Sequence, residues 1–228
     1  GVSSIAFLET CAYYGAGMVV TQAIESVDTN FYELDKLKKI PIPVAFQIMT
    51  ADSETAVRLA REVKNYVDVI DLNFGCPLKE VLGRKAGGYL LSYPHLMERI
   101  ISAVKKEVDI PVTIKIRKGF DDKRITFKDI AKMAECQGVA AITLHARTVR
   151  QAYTGSADWE SIKELTAMSS IPVIANGDVI KAGQAKYLLE REYADAVMIG
   201  RKARDDPRIF AQINDALHSR PQRNIPRK

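Results

Sequence analysis

Apolar residues along the chain gather into short, nearly continuous runs rich in Val and Ile, at 18–24, 44–49, 69–74, 112–117, 141–145, 173–175 and 196–199, bounded by Pro or Gly. Runs that are apolar on both faces predict the strands of a parallel sheet covered on each side. Between them, apolar positions recur at helical spacing and predict amphipathic helices over 4–14, 31–38, 53–65, 94–106, 127–137, 159–167, 182–190 and 207–218. Helix start signals agree with these bounds: Asp52-Ser53-Glu54, Ser92 ahead of Pro94, and Thr126 ahead of Phe127.

Regular β/α alternation closes either as a doubly wound open sheet or as a barrel. Strand starts recur at the spacing of one β/α unit with a single longer gap, and no Gly-x-Gly-x-x-Gly turn follows any strand, so the expected fold class is α/β, a (β/α)8 TIM barrel. The first predicted helix opens almost at residue 1 and eight helices accompany seven strands, so the barrel is expected to lack its first strand in this chain. Residues 1–218 are read as the barrel and 219–228, rich in Arg, Lys and Pro, as a polar linker. The longer gap contains residues 75–91, with Cys76-Pro77, Lys79, Arg84, Lys85 and Gly87-Gly88, just past a strand's C-terminal end. Barrel enzymes place their chemistry there.

Composition narrows the picture modestly. At 228 residues with 47% hydrophobic positions, the chain can bury a full core, and it contains no apolar stretch of membrane-spanning length. Its three cysteines, Cys11, Cys76 and Cys136, fit neither a disulfide framework nor metal-ligand spacing; a reducing, cytoplasmic setting without a metal is expected. The net charge of +5 is compatible with an anionic partner.

Polar residues fall where several strands end: Gln47, then Asp71 and Asn73, Lys115 and Arg117, His145 and Arg147, Asn176 and Asp178, and Arg201. The two turns Asn176-Gly177-Asp178 and Gly200-Arg201 suit phosphate, because glycine lets backbone N–H groups approach and arginine adds a cationic fork. Each turn taken singly is equally well an ordinary βα connection. Lys115, set among Val112, Ile114 and Ile116, needs an anion if it points inward. A flavin would meet that need, since an ammonium near N1 and O2 stabilises the reduced anionic ring. His145 read alone is as well a core histidine. Cys76 could donate a proton without tuning or could be inert. Arg84, Lys85, Lys115, Arg117, Lys118, Arg147, Arg150, Arg201, Lys202 and Arg204 form a cationic rim that suits RNA or is a solvated basic face.

In order along the chain, Asp71-Leu72-Asn73-Phe74-Gly75-Cys76-Pro77, Gly87-Gly88, Lys115-Ile116-Arg117, Leu144-His145-Ala146-Arg147-Thr148, Gln151-Ala152-Tyr153-Thr154-Gly155, Asp158-Trp159, Ala175-Asn176-Gly177-Asp178 and Ile199-Gly200-Arg201 closely resemble the tRNA-dihydrouridine synthase family. The resemblance implies a flavin-binding barrel followed by a small helical domain that helps hold tRNA; that domain is expected to be lacking in this chain, with 219–228 as the linker towards it. It also implies an activity: reduced FMN gives a hydride to C6 of a tRNA uridine, a cysteine protonates C5, and NADPH (or NADH) reduces the flavin again. By this likeness Cys76 is the general acid. Gln47, Lys115 and His145 contact the flavin ring or ribityl chain, and Asn176, Gly177, Asp178, Gly200 and Arg201 hold its phosphate. Asn73, Arg117 and Tyr153 belong to the uracil pocket. Two other functions stay open at this point: a flavin dehydrogenase of free pyrimidines, such as dihydroorotate or dihydropyrimidine, and a non-catalytic RNA-binding barrel.

Overall fold

The computed structural model describes residues 4–25 and 34–218. The expected linker 219–228 and the start of the helix expected at 31–38 lie outside the described residues. The elements follow the alternation read from the sequence: α1 (Ile5–Tyr13), β1 (Val19–Val20), α2 (Leu34–Leu37), β2 (Val44–Ile48), α3 (Ser53–Val63), β3 (Val69–Asn73), α4 (Lys79–Gly83) and a 3-10 turn at Gly87–Ser92. Then come α5 (Pro94–Glu107), β4 (Val112–Arg117), β5 (Gly119–Asp121), β6 (Arg124–Ile125), α6 (Phe127–Cys136), β7 (Ile142–His145), α7 (Trp159–Met168), β8 (Val173–Asn176), α8 (Ala182–Glu190), β9 (Ala196–Met198), α9 (Arg201–Asp205) and α10 (Ile209–Leu217).

Local chemistry accounts for the boundaries. Asp52 caps α3 by accepting the Thr55 N–H at 2.7 Å, and α3 buries Ala56, Leu59, Ala60 and Val63 at helical spacing. Pro94 occupies the first turn of α5, where its missing N–H costs nothing. All five residues of β2 are buried, as expected of a strand covered on both faces.

The strands form a curled parallel sheet in the order β1-β2-β3-β4-β7-β8-β9, with β5 and β6 as a separate antiparallel hairpin beyond the end of β4. This is the α/β barrel arrangement, open between β1 and β9, which do not pair with each other among the described residues. Three departures from expectation have local causes. The strand expected at 18–24 keeps only Val19–Val20 and a lone bridge from Ile24 to Ile48. There the Thr21 hydroxyl, not a carbonyl, receives the Gln47 N–H at 3.0 Å, and the ladder breaks. The expected loop 75–91 winds into α4 and the 3-10 turn, and α9 and the β5–β6 hairpin appear where only loops were expected. These elements are too short for hydrophobic periodicity to reveal.

Register decides what meets at the sheet's C-terminal end. Cross-strand neighbours run Gln47 beside Asp71 and Asp71 beside Thr113, then Asn73 beside Lys115, and Arg117 beside His145 beside Asn176. Side chains at every second strand position share a face, so these rows project together. None of the described helices is long and apolar enough to cross a membrane.

Candidate active site

The rows of polar side chains open into a cavity of about 750 Å³. All twelve residues expected from the sequence line it: Gln47, Asn73, Cys76, Lys115, Arg117, His145, Tyr153, Asn176, Gly177, Asp178, Gly200 and Arg201. Its remaining wall is largely apolar and includes Phe7, Leu8, Val19, Val197, Ile199 and Phe210 from the open side of the sheet.

On one flank, Asn73 Oδ1 accepts the backbone N–H groups of Gly75 and Cys76 at 3.0 and 3.1 Å. The loop then folds back on itself: Gly88 N–H donates to the Cys76 carbonyl at 2.9 Å. The glycine pair has a steric reason, because a Cβ on Gly87 would stand 2.9 Å from Cys76 Cβ, and one on Gly88 would stand 2.5 Å from Val149. Cys76 is half-buried, and that burial raises its thiol above the ordinary value; Glu25 adds to the effect while Lys115 and Arg117 oppose it. The sulfur is therefore a protonated thiol at neutral pH.

Across the floor, burial first and Arg117 second push Lys115 down to about 8, with Asp71 and Cys76 working the other way. An inward ammonium in so dry a place seeks an anion. His145 is 7% exposed, and its Nε2 is buried with no hydrogen-bond partner among the described residues. Burial, reinforced by Lys115, Arg117, Arg147 and Arg201, brings its pKa down to about 2, so the imidazole is neutral. A buried ring nitrogen with nothing to bond is costly in a finished protein core and expected in a ligand site.

On the opposite flank, Gly177 has φ +112°, and a Cβ there would lie 2.9 Å from Ala157 and 3.1 Å from His145. Asn176 Nδ2 donates to the Met198 carbonyl at 2.9 Å, tying β8 to β9. The Asp178 carboxylate is already engaged: Arg147 at 2.8 Å, the Ala157 N–H at 2.8 Å and Arg201 at 3.2 Å all donate to it. Burial pushes that carboxyl up, yet Arg147, the Ala157 amide and Arg201 hold it below the usual range. The Asp178 side chain thus ties Arg147 to Arg201 across the turn and aims Arg201. Arg201 remains half exposed at the rim.

Two arginines expected at the mouth also fasten loop carbonyls. Arg117, 2% exposed, donates to the carbonyls of Gly75, Thr148 and Ala152 at 2.8, 3.0 and 2.8 Å, binding the Cys76 loop to the segment that carries Tyr153. It still lines the cavity. Arg147, also 2% exposed, donates to the carbonyls of Thr154 and Gly155 and does not belong to a solvent-facing rim. The guanidinium carbons of Arg117 and Arg201 lie 5.7 and 5.3 Å from the Tyr153 ring centre. Several rim cations are paired with carboxylates: Arg84 with Glu25, Lys118 with Asp158, and Arg204 with Asp205. Among the described residues, no group of His, Cys, Asp and Glu is placed to hold a metal ion.

A family model described as dihydrouridine synthase matches residues 1–228. The tRNA-dihydrouridine synthase B of Vibrio vulnificus (strain CMCP6) is 40% identical over 226 residues, covering 96% of this chain and 70% of that protein. The protein of the same name from Pasteurella multocida (strain Pm70) is 37% identical over 223 residues, covering 95% and 67%. Among solved structures, histamine dehydrogenase from Rhizobium sp. 4-9 superposes with a TM-score of 0.71 at 13% identity, over 94% of this chain and 43% of that one. A 2-naphthoyl-CoA reductase complex gives 0.71 at 15% identity, over 96% and 47%. The chain thus spans less than half of either structure, and at such identity the likeness carries the fold alone.

Proposed function

The chain belongs to the dihydrouridine synthase family, and on that premise we propose that its cavity binds FMN and reduces a uridine of tRNA to 5,6-dihydrouridine, with NADPH or NADH as the electron source. The observation that carries this reading is the meeting of a desolvated lysine, a buried imidazole nitrogen unpartnered among the described residues and a protonated thiol around one cavity. The residues fit a flavin: Lys115 meets an anion-forming ring edge, His145 Nε2 gains the partner it lacks, and the bare backbone at Gly177 leaves room for close approach. The reading gives Gln47, Lys115 and His145 the ring and ribityl chain. It gives Asn176, Gly177, Gly200, Arg201 and the backbone of Asp178 the phosphate.

When bound, the reduced flavin supplies the hydride that goes to C6 of the uracil. Cys76, protonated because its surroundings are dry, gives its proton to C5 and is left as the thiolate. Arg117 and Lys115 lie close enough in charge to ease that thiolate. Asn73 and Tyr153 bound the uracil pocket, with the Tyr153 ring offering a flat face at the mouth. A uridine stacked within tRNA must be turned out to reach the cavity floor, and an exposed rim cation such as Arg150 would hold neighbouring phosphates while it does.

The test is flavin uptake followed by substrate choice. The purified chain mixed with FMN should show the bound-flavin absorption band, and after reduction that flavin should be reoxidised by tRNA and not by free uracil or orotate. Reoxidation by a free pyrimidine would replace this reading with a dehydrogenase of small molecules. Binding of tRNA with no flavin uptake would replace it with a non-catalytic RNA-binding barrel.

A further inference from the structure

Asp71 is not among the residues that line the cavity, yet a directed chain of hydrogen bonds runs from it to the Cys76 loop. The Asp71 side chain is 2% exposed and lies one register row behind Asn73 and Lys115. Its Oδ1 accepts from the Thr113 hydroxyl and its Oδ2 from Gln47 Nε2, both at 2.6 Å. Gln47 Oε1 accepts from Asn73 Nδ2 at 2.8 Å. Asn73 Oδ1 in turn accepts the Gly75 and Cys76 N–H groups.

The polarity of this relay is fixed from its ends. Two backbone N–H groups admit only an acceptor, so Asn73 must show them its oxygen and turn its nitrogen toward Gln47. The Asn73 nitrogen donates only, so Gln47 must turn its oxygen toward Asn73 and its nitrogen toward Asp71, whose Oδ2 must accept. Reversing either amide would set donor against donor or acceptor against acceptor inside a buried network, where an unmet group is most costly.

We propose that Asp71 is a positioning residue which, through Gln47 and Asn73, holds the Cys76 loop in its place at the cavity. The consequence for catalysis rests on the reading of Cys76 as proton donor; the mechanical coupling does not. Without the carboxylate, Gln47 is free to rotate, Asn73 loses its fixed partner, and the N–H groups of Gly75 and Cys76 lose the acceptor that orients them. Asn in place of Asp keeps the polarity, offering Oδ1 to Gln47 and its amide nitrogen to the Thr113 oxygen.

Alkylation by iodoacetamide, followed peptide by peptide with mass spectrometry on the flavin-free chain, reads the coupling directly. Cys136 is exposed on α6 and serves as an internal reference. In Asp71→Ala and in Asn73→Ala, Cys76 should alkylate about tenfold faster than in the parent, the factor that corresponds to about 1.4 kcal/mol. Cys136 should not change. The double variant should alkylate no faster than Asn73→Ala, because both changes break one relay. Asp71→Asn should restore the parent rate. Asp71→Ser, too short to reach Gln47, gives the same test should Asp71→Ala fail to fold. The proposal is overturned if the Asp71→Ala or Asp71→Ser rate stays within about twofold of the parent while Asn73→Ala accelerates, or if the two effects multiply in the double variant. Coupling without any reduction of tRNA would leave the positioning role standing and remove the proposed reaction. Reduction of tRNA without coupling would do the reverse.

Discussion

Lys115→Met should make the flavin-free protein more stable. Methionine keeps the length and packing of the lysine stem and discards the charge. The shift of Lys115 from 10.5 down to about 8 means that keeping this amine charged in the folded state costs about 3 kcal/mol, at about 1.4 kcal/mol per pKa unit. Part of that gain is forfeited, because the Asp71 carboxylate loses the nearby cation that favours its ionised form. A net gain of about 1–3 kcal/mol is expected at pH 7, raising Tm by about 2–4 °C per kcal/mol for a domain of this size. The pH dependence has a definite sign. Below about pH 8 the amine is charged in both folded and unfolded states and the whole cost is present. Between about pH 8 and pH 10.5 the unfolded state binds the extra proton, so the parent gains stability with rising pH and its deficit against the variant shrinks. Urea unfolding of both proteins at pH 7 and pH 9.5 measures it, with the difference expected to fall to less than half at the higher pH. A variant no more stable than the parent at pH 7, or an advantage equal at both pH values, would refute the claim that Lys115 is a dry cation awaiting an anion. FMN affinity should move the opposite way and fall at least tenfold.

Three further outcomes are expected. Cys76→Ala should retain FMN, seen by absorbance after gel filtration, while dihydrouridine formation in tRNA falls by about 10²–10⁴-fold, the usual range for a lost general acid. Arg201→Ala should weaken FMN binding about tenfold by fluorescence titration; a charge-assisted bond is worth about 1.5–3 kcal/mol, and its half-exposed position and pairing with Asp178 place it at the low end. Gly177→Ala should cost about 1–3 kcal/mol in urea unfolding and lower FMN affinity as well, because alanine is strained at φ +112° and its methyl would meet Ala157 at 2.9 Å.

The barrel arrangement was legible because its strands are largely buried: runs such as Val44–Ile48 and Val112–Arg117 stand out as short, mostly apolar blocks that begin with Val and contain Ile. The cavity was legible for a related reason. Register brings strand ends together, so polar residues at the ends of successive strands must converge whatever the loops do. Side-chain direction and pairing were not legible. Arg117 and Arg147 look in sequence like the other cations near the mouth, and only packing shows that carbonyls of the loops at 75, 148, 152, 154 and 155 claim them. Asp178 sits in a phosphate-like turn, but its carboxylate belongs to two arginines. The role of Asp71 depends on contacts to residues 24 and 42 positions away, which no local pattern encodes. One signal was present: an acidic residue inside an otherwise apolar strand, two positions before Asn73, demands a buried partner.

The cavity's proposed work is best tested by a single turnover. The chain loaded with FMN and reduced under anaerobic conditions is mixed with unmodified tRNA, and the nucleosides are then weighed by mass spectrometry. The expected result is flavin reoxidation matched one for one by a uridine heavier by two hydrogens, in the parent and not in Cys76→Ala. Reoxidation that leaves every uridine at its original mass would contradict it.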